Sequence, residues 1–197
     1  MKLVVIKYNA GNIRSVQIAL ERLGITPVVS DDPETIRSAD KLIFPGVGEA
    51  SSAMEYLRAR RLDEVICQAT QPLLGICLGM QLMCSHSAEN DTSCLGIFEE
   101  KVKRFESADP QIKIPQIGWN NISQLKGPLF KGIEENSYCY FVHSYFASIG
   151  EDTIAVTDYC AKYSAALSKR NFFGVQFHPE KSATVGAQII TNFLNIS

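Results

Sequence analysis

A cysteine between two glycines has the setting in this chain that most favours chemistry. Cys77 follows a short apolar run at 73–76 and precedes a helical pattern that begins at Leu78. A strand that turns sharply into a helix exposes the residue at the turn, and Gly75 and Gly79 leave room for it because they lack a Cβ. The helix N-terminus and the Leu78 N–H then favour a nucleophilic thiolate. Cys77 is therefore a candidate nucleophile; the alternative is a buried structural cysteine.

A cysteine nucleophile needs a base, and the chain has three histidines. His178 follows an apolar strand pattern at 172–177, and Glu180 stands two residues further on. Because residues i and i+2 share a face in extended backbone, Glu180 can reach the imidazole and fix its tautomer. The alternative is a strand-end histidine beside an unrelated glutamate. We expect His86 in a polar surface loop and His143 in a half-buried strand, as a core or pocket-wall residue.

The stretch Pro-Gly-Val-Gly at 45–48 has room for a close approach of the backbone. An N–H of Val47 or Gly48 can pair with the Leu78 N–H and form an oxyanion hole for attack on a carbonyl. A phosphate-binding loop is a rival interpretation. The stretch lacks the Gly-Lys-Ser/Thr ending of such a loop, and Glu49 follows it and would repel phosphate.

The first half of the chain alternates strand and helix patterns, which predicts a parallel sheet flanked by helices. Ligands of such sheets bind outside the carboxyl ends of the strands, so the loop at 45–48 and Cys77 should meet there. Strands are predicted at 3–8, 26–29, 41–44 and 73–76. Helices are predicted after a cap at Asn12, after Asp32, and at 49–60, 62–67 and 78–84.

The second half is rich in β pattern and predicts an added antiparallel portion joined to the same sheet. Turns are expected at 118–121, 126–128 and 131–132, and a last helix at 183–194 should bury Val185, Ile189 and Phe193. Strands are predicted at 101–105, 138–142, 153–157, 165–168 and 172–177.

Composition narrows the class of protein. The chain has 197 residues, 46% of them hydrophobic, and a formal net charge of −2. These values predict one domain over 1–197 and give no support for nucleic-acid binding. The apolar runs fall far short of the ~20 residues that a membrane span needs. With three histidines, no Cys-x-x-Cys pair and no signal-peptide pattern, we expect a cytoplasmic protein without a metal or cofactor.

Several motifs carry a resemblance that covers nearly the whole chain. Residues 45–48 (PGVG), 75–81 (GICLGMQ) and 174–182 (GVQFHPEKS) resemble the signatures of class I, triad-type glutamine amidotransferases. Residues 10–16, 114–120 and 140–145 are similar to one branch of that family, the glutaminase subunits of imidazole glycerol phosphate synthases. The chain departs from this branch at Lys7 and Asn9, and at Gln116, where histidine is common; both places are implied to belong to the partner side.

The resemblance implies a flavodoxin-like, mostly parallel sheet and a catalytic triad of Cys77, His178 and Glu180. It implies that L-glutamine is held by Gln81, Glu89 and the backbone around Gly48, Ser144 and Tyr145. It also implies a partner, a (β/α)8 cyclase that receives ammonia. The residues implied to face this partner are Asn12, Trp119, Tyr140 and Lys181.

We interpret the chain as a glutaminase in which Cys77 attacks the side-chain amide of glutamine and His178 protonates the departing ammonia. Ammonia would then join an intermediate in the partner and yield imidazole glycerol phosphate, in histidine synthesis. One alternative is a sister amidotransferase that serves another acceptor, such as a surface-sugar pathway. Others are a cysteine peptidase or chaperone of related fold and a catalytically inactive assembly subunit.

Overall fold

In the computed structural model, which describes residues 1–9 and 12–196, the predicted alternation of strands and helices is present. Within these residues the strands are Leu3–Ile6 (β1), Val28–Ser30 (β2), Lys41–Phe44 (β3), Leu73–Ile76 (β4), His86–Ser87 (β5), Thr92–Ser93 (β6), Lys101–Arg104 (β7), Gln116–Ile122 (β8), Ser137–His143 (β9), Tyr145–Ala147 (β10), Thr153–Asp158 (β11), Lys162–Lys169 (β12) and Phe172–Val175 (β13). The α-helices are Ile13–Arg22 (α1), Pro33–Arg37 (α2), Ala50–Ala59 (α3), Leu62–Cys67 (α4), Leu78–Met83 (α5) and Ala183–Leu194 (α6).

The main sheet has the order β11-β12-β13-β4-β3-β1-β2. Its strands β2, β1, β3, β4 and β13 are parallel, and β12 and β11 extend it in antiparallel fashion. The parallel part therefore follows the flavodoxin-like order 2-1-3-4-5. This confirms the predicted fold class and places the ends of β3, β4 and β13 side by side.

Strands β1, β3, β4 and β13 are buried on both faces, as their continuous apolar sequences predict, whereas the edge strand β2 is partly exposed. In β1, Val4 and Ile6 pack on one side of the sheet with α2 to α5, whereas Leu3 and Val5 pack on the other side with α1 and α6. Two hydrophobic cores thus clamp the sheet and hold the turns at its carboxyl edge in place. None of the helices in the described ranges is both long and apolar enough to cross a bilayer.

The second half differs from the prediction at residues 118–121, which lie inside β8 and not in a turn. Strands β8 and β9 form an antiparallel ribbon in which Gly118 pairs with Phe141 and Trp119 with Tyr140. The asparagine side chains that suggested a turn bind elsewhere: Asn120 donates to the Asp158 carbonyl at 2.8 Å. Long-range strand pairing has therefore overridden the local turn propensity. A third, four-stranded sheet has the order β10-β7-β5-β6.

The predicted helix caps have mixed outcomes. The Asp32 carboxylate caps α2 by accepting from the Thr35 N–H at 2.8 Å, as predicted. Asn12 precedes α1 in the left-handed conformation (φ 73°), and its side chain does not cap the helix. The last helix has the predicted bounds, with Ile189 and Phe193 buried but Val185 only partly so.

Candidate active site

Cys77 lies on the turn between β4 and α5, as the flanking glycines predict. Its backbone is in a strained region (φ 53°, ψ −109°) that residues with a side chain rarely adopt. The turn is fixed on both sides, since the Cys77 N–H donates to the Val175 carbonyl at 2.8 Å and its carbonyl accepts from the Gln81 N–H at 3.1 Å. A Cβ at Gly79 would overlap the Phe44 carbonyl, so the helix packs against β3 only because this residue is glycine.

The sulfur of Cys77 has polar neighbours, although only 6% of the residue is exposed. Its Sγ lies 3.9 Å from the Val142 carbonyl, to which a thiol can donate. The Gln176 side chain donates to the same sulfur from Nε2 at 3.6 Å. A thiol and a thiolate therefore each have a partner at this position.

His178 and Glu180 form the buried pair that the sequence predicts, with Nδ1 and Oε1 2.8 Å apart. The backbone conformation that was predicted to bring them together was wrong. Strand β13 ends at Val175, and Glu180 reaches the ring from a short 3-10 helix (Pro179–Lys181) instead of extended backbone. The same Glu180 oxygen accepts from the Asn12 amide at 2.6 Å. The carboxylate therefore orients the imidazole, and Asn12, at the start of α1, holds the carboxylate in place.

Electrostatics make His178 ready to hold a proton. Burial alone lowers its pKa, but interactions with Cys77 and Glu180 outweigh burial and raise the pKa of His178. The Nε2 atom is buried, and none of the described residues forms a hydrogen bond with it. Cys77 is therefore close enough to the ring to influence its pKa, although Sγ and Nε2 are not aligned as a hydrogen bond in this conformation.

The other two histidines have different surroundings. His143 is buried, with Nδ1 2.7 Å from the Tyr145 carbonyl and Nε2 3.0 Å from the Tyr163 hydroxyl. Burial lowers the pKa of His143 to about 4. It is the hydrogen-bonded wall residue that the sequence predicts. His86 is half-buried, 2.9 Å from the Asp91 carboxylate, and lies in the short strand β5 instead of a loop.

A pocket of about 170 Å³ opens beside Cys77. It gathers residues that are up to about a hundred positions apart in sequence, because α5, the loop after β3 and the end of β9 meet at this edge. His178 contributes no wall to it and is 1% exposed. The residues that line it are Val47, Gly48, Cys77, Leu78, Gln81, Glu89, Val142, His143, Ser144 and Tyr145.

The pocket contains every residue predicted to bind substrate. Glu89 accepts from the Ala50 N–H at 2.8 Å, and burial raises the pKa of this carboxyl. Gln81 donates from Nε2 to the Tyr145 carbonyl at 2.8 Å, which leaves its carbonyl oxygen for other partners. The pocket can therefore offer a carboxylate, an amide oxygen and backbone groups to a small polar ligand.

The Leu78 N–H, predicted to hold an oxyanion, has a partner in this conformation. It donates to the Gly46 carbonyl at 3.3 Å. Gly48 lies in a left-handed conformation (φ 134°), which gives the loop a shape that glycine adopts easily. The predicted residues are thus together, but the Leu78 donor is occupied.

The family model for class-I glutamine amidotransferases matches residues 4–196. The chain belongs to this family. Curated relatives named imidazole glycerol phosphate synthase subunit HisH match over the full length of both chains: 55% identity in Bacteroides fragilis, 52% in Bacteroides thetaiotaomicron and 48% in Yersinia pseudotuberculosis.

Solved structures agree on the amidotransferase fold at lower identity. A crystal structure of a glutamine amidotransferase superposes with a TM-score of 0.76 at 19% identity, covering 98% of this chain and 97% of that one. PurLQS from Thermotoga maritima gives 0.74 at 17% identity, covering 98% and 97%. These likenesses confirm the fold alone.

One face of the β8–β9 ribbon carries Trp119 and Tyr140, two of the residues that were expected to face a partner, and Lys181 lies beside it. Trp119 is 53% exposed and packs edge-on against Tyr140, with ring centroids 6.0 Å apart. The Lys181 ammonium lies 5.9 Å from the Tyr140 ring. Ile117 and Tyr138, also exposed, extend the apolar surface.

Two residues implied to belong to the partner side point inward. Asn12 donates to Glu180, as described above. Gln116 is buried, and its side-chain amide lies within hydrogen-bond distance (2.7 Å) of the Tyr163 hydroxyl, beside His143. Because side chains alternate along β8, Gln116 faces the core while Ile117 and Trp119 face outward.

The sequence interpretation missed Gln176, which is fully buried and contacts the Cys77 sulfur. A signal was available, since Gln176 is a polar residue within the otherwise apolar stretch 172–177. A buried amide in such a run needs specific partners, which marks the position for attention.

Proposed function

We propose that this chain is the glutaminase subunit of an imidazole glycerol phosphate synthase and hydrolyses L-glutamine to glutamate and ammonia. The observation that carries the proposal is the pairing of an elbow cysteine, open to a pocket, with a buried histidine held by a carboxylate. Cys77 is the nucleophile, His178 the general acid and base, and Glu180 the group that orients His178.

The chemistry follows from the positions of these groups. His178 takes the thiol proton, and the Cys77 sulfur attacks the side-chain carbonyl carbon of glutamine. As the C–N bond breaks, His178 gives the proton to the departing nitrogen, which leaves as ammonia, and a thioester remains. Water then attacks the thioester with His178 as base, and glutamate is released from the regenerated thiol.

The oxyanion of both tetrahedral intermediates needs donors at the elbow. The Leu78 N–H is one donor, and an N–H of Val47 or Gly48 is the second. Because the Gly46 carbonyl occupies the Leu78 N–H, the loop at 45–48 has to move before this donor is available. The rate of glutamine hydrolysis therefore depends on the conformation of this loop.

The pocket fits the free amino acid. Glu89 supplies a carboxylate for the α-ammonium group, and the Gln81 oxygen and the backbone of Gly48, Ser144 and Tyr145 supply further polar contacts. A peptidase site would not need a carboxylate for a free ammonium group. These contacts favour glutamine over a peptide substrate.

The acceptor of the ammonia is proposed from the relatives and from the ribbon face. Full-length relatives at 48–55% identity are named as imidazole glycerol phosphate synthase subunits. We propose a heterodimer with a (β/α)8 cyclase, a lyase that incorporates the ammonia in the cytoplasmic synthesis of histidine. Trp119, Tyr140 and Lys181 form the docking face, and Asn12 connects that side to Glu180. A sister enzyme that supplies a surface-sugar pathway is the second candidate.

The test uses the complex assembled with the cyclase subunit of the same organism. Cys77→Ala should abolish glutamine-dependent formation of imidazole glycerol phosphate, a loss of about 10⁴-fold or more. With ammonium salt the mutant complex should keep its activity, increasingly toward high pH, because free ammonia is the nucleophile.

Two results would contradict the proposal. Glutamine-dependent activity retained by Cys77→Ala would remove Cys77 as nucleophile. Failure of the cyclase to bind, together with copurification of a sugar-modifying enzyme, would favour the second candidate. Substitution of one elbow sulfur leaves the strand and both glycines in place, so a large loss of stability is not expected.

A further inference from the structure

Three polar groups form a chain that leads from the backbone of the pocket to the nucleophile. The Tyr145 carbonyl accepts from Gln81 Nε2 at 2.8 Å, and Gln176 Oε1 accepts from the same nitrogen at 2.9 Å. Gln176 Nε2 in turn donates to the Cys77 sulfur at 3.6 Å. Gln81 and Gln176 are both buried, so water does not compete for these bonds.

The order of these bonds fixes the orientation of both amides. A backbone carbonyl only accepts, so the end of Gln81 beside Tyr145 has to be the NH2 group. That NH2 group also faces one end of the Gln176 amide, which therefore has to be oxygen. The remaining end of Gln176 is an NH2 group, and it faces the sulfur. The hydrogen-bond partners therefore identify the end of the Gln176 amide that faces Cys77 as the NH2 group. This assignment does not depend on the similar shapes of the amide oxygen and nitrogen.

We infer that Gln176 donates a hydrogen bond to the Cys77 sulfur and stabilises its thiolate, and that Gln81 fixes the Gln176 amide in the donating orientation. The inference rests on the proposed function, in which Cys77 is the nucleophile. It gives Gln176 a role that neither the elbow nor the triad supplies, and it gives Gln81 a second role besides substrate binding.

The chemistry of the sulfur explains why such a donor is useful. The Val142 carbonyl, 3.9 Å from Sγ, favours the thiol because it only accepts. Gln176 favours the thiolate because an N–H donor gains strength when its acceptor carries charge. The two contacts oppose each other, and the Gln176 bond shifts the balance toward the reactive form.

The experiment measures the rate of Cys77 alkylation by iodoacetamide as a function of pH, with peptide mapping to separate Cys77 from the other cysteines. Iodoacetamide needs no glutamine contacts and no partner, so the readout does not depend on glutamine turnover. Gln176→Met removes the donor with little change in volume. The midpoint of the profile should move up by roughly one pH unit, while the rate at high pH stays within about threefold of wild type.

Further variants keep the test decisive. If Gln176→Met does not fold, Gln176→Asn withdraws the amide from the sulfur but keeps a polar group, and the same upward shift is expected. Gln81→Met should shift the midpoint by a smaller amount, because Gln176 loses its anchor but keeps its amide. Gln188→Met, a matched change on the exposed side of α6, should leave the profile unchanged.

The outcomes separate this inference from the proposed function. Unshifted profiles for folded Gln176 variants, in a chain whose complex hydrolyses glutamine, would overturn the inference alone. A wild-type complex without glutamine hydrolysis would overturn the proposed function, whatever the alkylation profiles show. A drop in rate at every pH, with no shift of the midpoint, would mean a structural role for Gln176 and would also overturn the inference.

Discussion

His143 and His178 are two buried histidines of the same site, and their pKa values are shifted in opposite directions. Each uses Nδ1 for a short hydrogen bond, at 2.7 Å to the Tyr145 carbonyl and at 2.8 Å to the Glu180 carboxylate. Burial lowers the pKa of His143 to about 4. At His178 burial also acts to lower the pKa, but Cys77 and Glu180 raise it further than burial lowers it.

The comparison teaches that the charge of the partner, and not the depth of burial, separates a base from a wall residue. A neutral carbonyl orients an imidazole and raises its pKa, but at His143 this effect is too small to offset burial. A carboxylate orients the ring and also compensates a positive charge on it, and for this reason the proposed mechanism assigns the transfer of the Cys77 proton to His178 and not to His143.

Replacing each histidine in turn should give the largest difference in activity. His178→Ala should lower glutamine hydrolysis by the complex about 10³-fold or more, because the base is lost. His143→Gln, which keeps polar atoms at the wall, should lower it less than tenfold. Glutamate formation under saturating glutamine measures both. Equal losses would show that His143 takes part in the proton transfers.

Removing only the charge of the partner should make the His178 site resemble the His143 site. Glu180→Gln keeps the shape of the side chain but replaces the carboxylate with a neutral amide, so the imidazolium is no longer compensated. We expect a loss of about 10²-fold in glutamate formation, smaller than for His178→Ala. The measurement is the rate across pH 6–9 for both variants. A greater loss for Glu180→Gln than for His178→Ala would mean that the assigned roles are wrong.

Sequence reasoning predicted the elements that local patterns determine and missed those set by distant partners. The bounds of β3, β4 and α6 were predicted correctly, because buried apolar runs and helix-start signals are local. Turns were predicted at 118–121, which lie in strand β8, because this strand is stabilised by pairing with β9, and β9 is distant in sequence.

The site shows the same difference between features that local sequence determines and features that distant residues determine. The elbow and the His178–Glu180 pair follow from residues close in sequence, although the 3-10 helix that joins the pair was not foreseen. The Asn12 contact with Glu180 and the orientation of Gln176 depend on residues about 100 to 170 positions apart. No local pattern encodes such contacts.

The two histidines should also give opposite slopes of stability with pH. A folded-state pKa of about 4 at His143, against an ordinary value near 6.5, means that the unfolded chain binds more protons between these values. The contribution of neutral His143 is complete above about pH 6.5 and is lost as the pH falls toward 4, roughly 3 kcal/mol in all. His178, whose pKa is raised, contributes stability below its ordinary pKa and loses it as the pH rises.

Urea unfolding between pH 4 and 7 measures how the contribution of His143 to the unfolding free energy changes with pH. His143→Gln should lack that part of the pH dependence, so the difference in unfolding free energy between wild type and variant should shrink as the pH falls from 6.5 to 4. A difference that stays constant over this range would show that His143 takes up its proton in the folded protein as readily as in the unfolded chain.

The smallest effect concerns Asn12, which shares the Glu180 oxygen with His178. Asn12→Gly removes the amide, and glycine accepts the φ of 73° without strain, so the start of α1 should be preserved. The bond between His178 and Glu180 remains, so glutamate formation should fall only about threefold to tenfold, through kcat and not KM. Asn9→Ala is the matched control, because the Asn9 amide donates to the Ser52 carbonyl and not to the triad. A loss as large as that of Glu180→Gln would mean that the carboxylate cannot orient His178 without Asn12. An unchanged kcat would show that the Asn12 bond does not position Glu180 for catalysis.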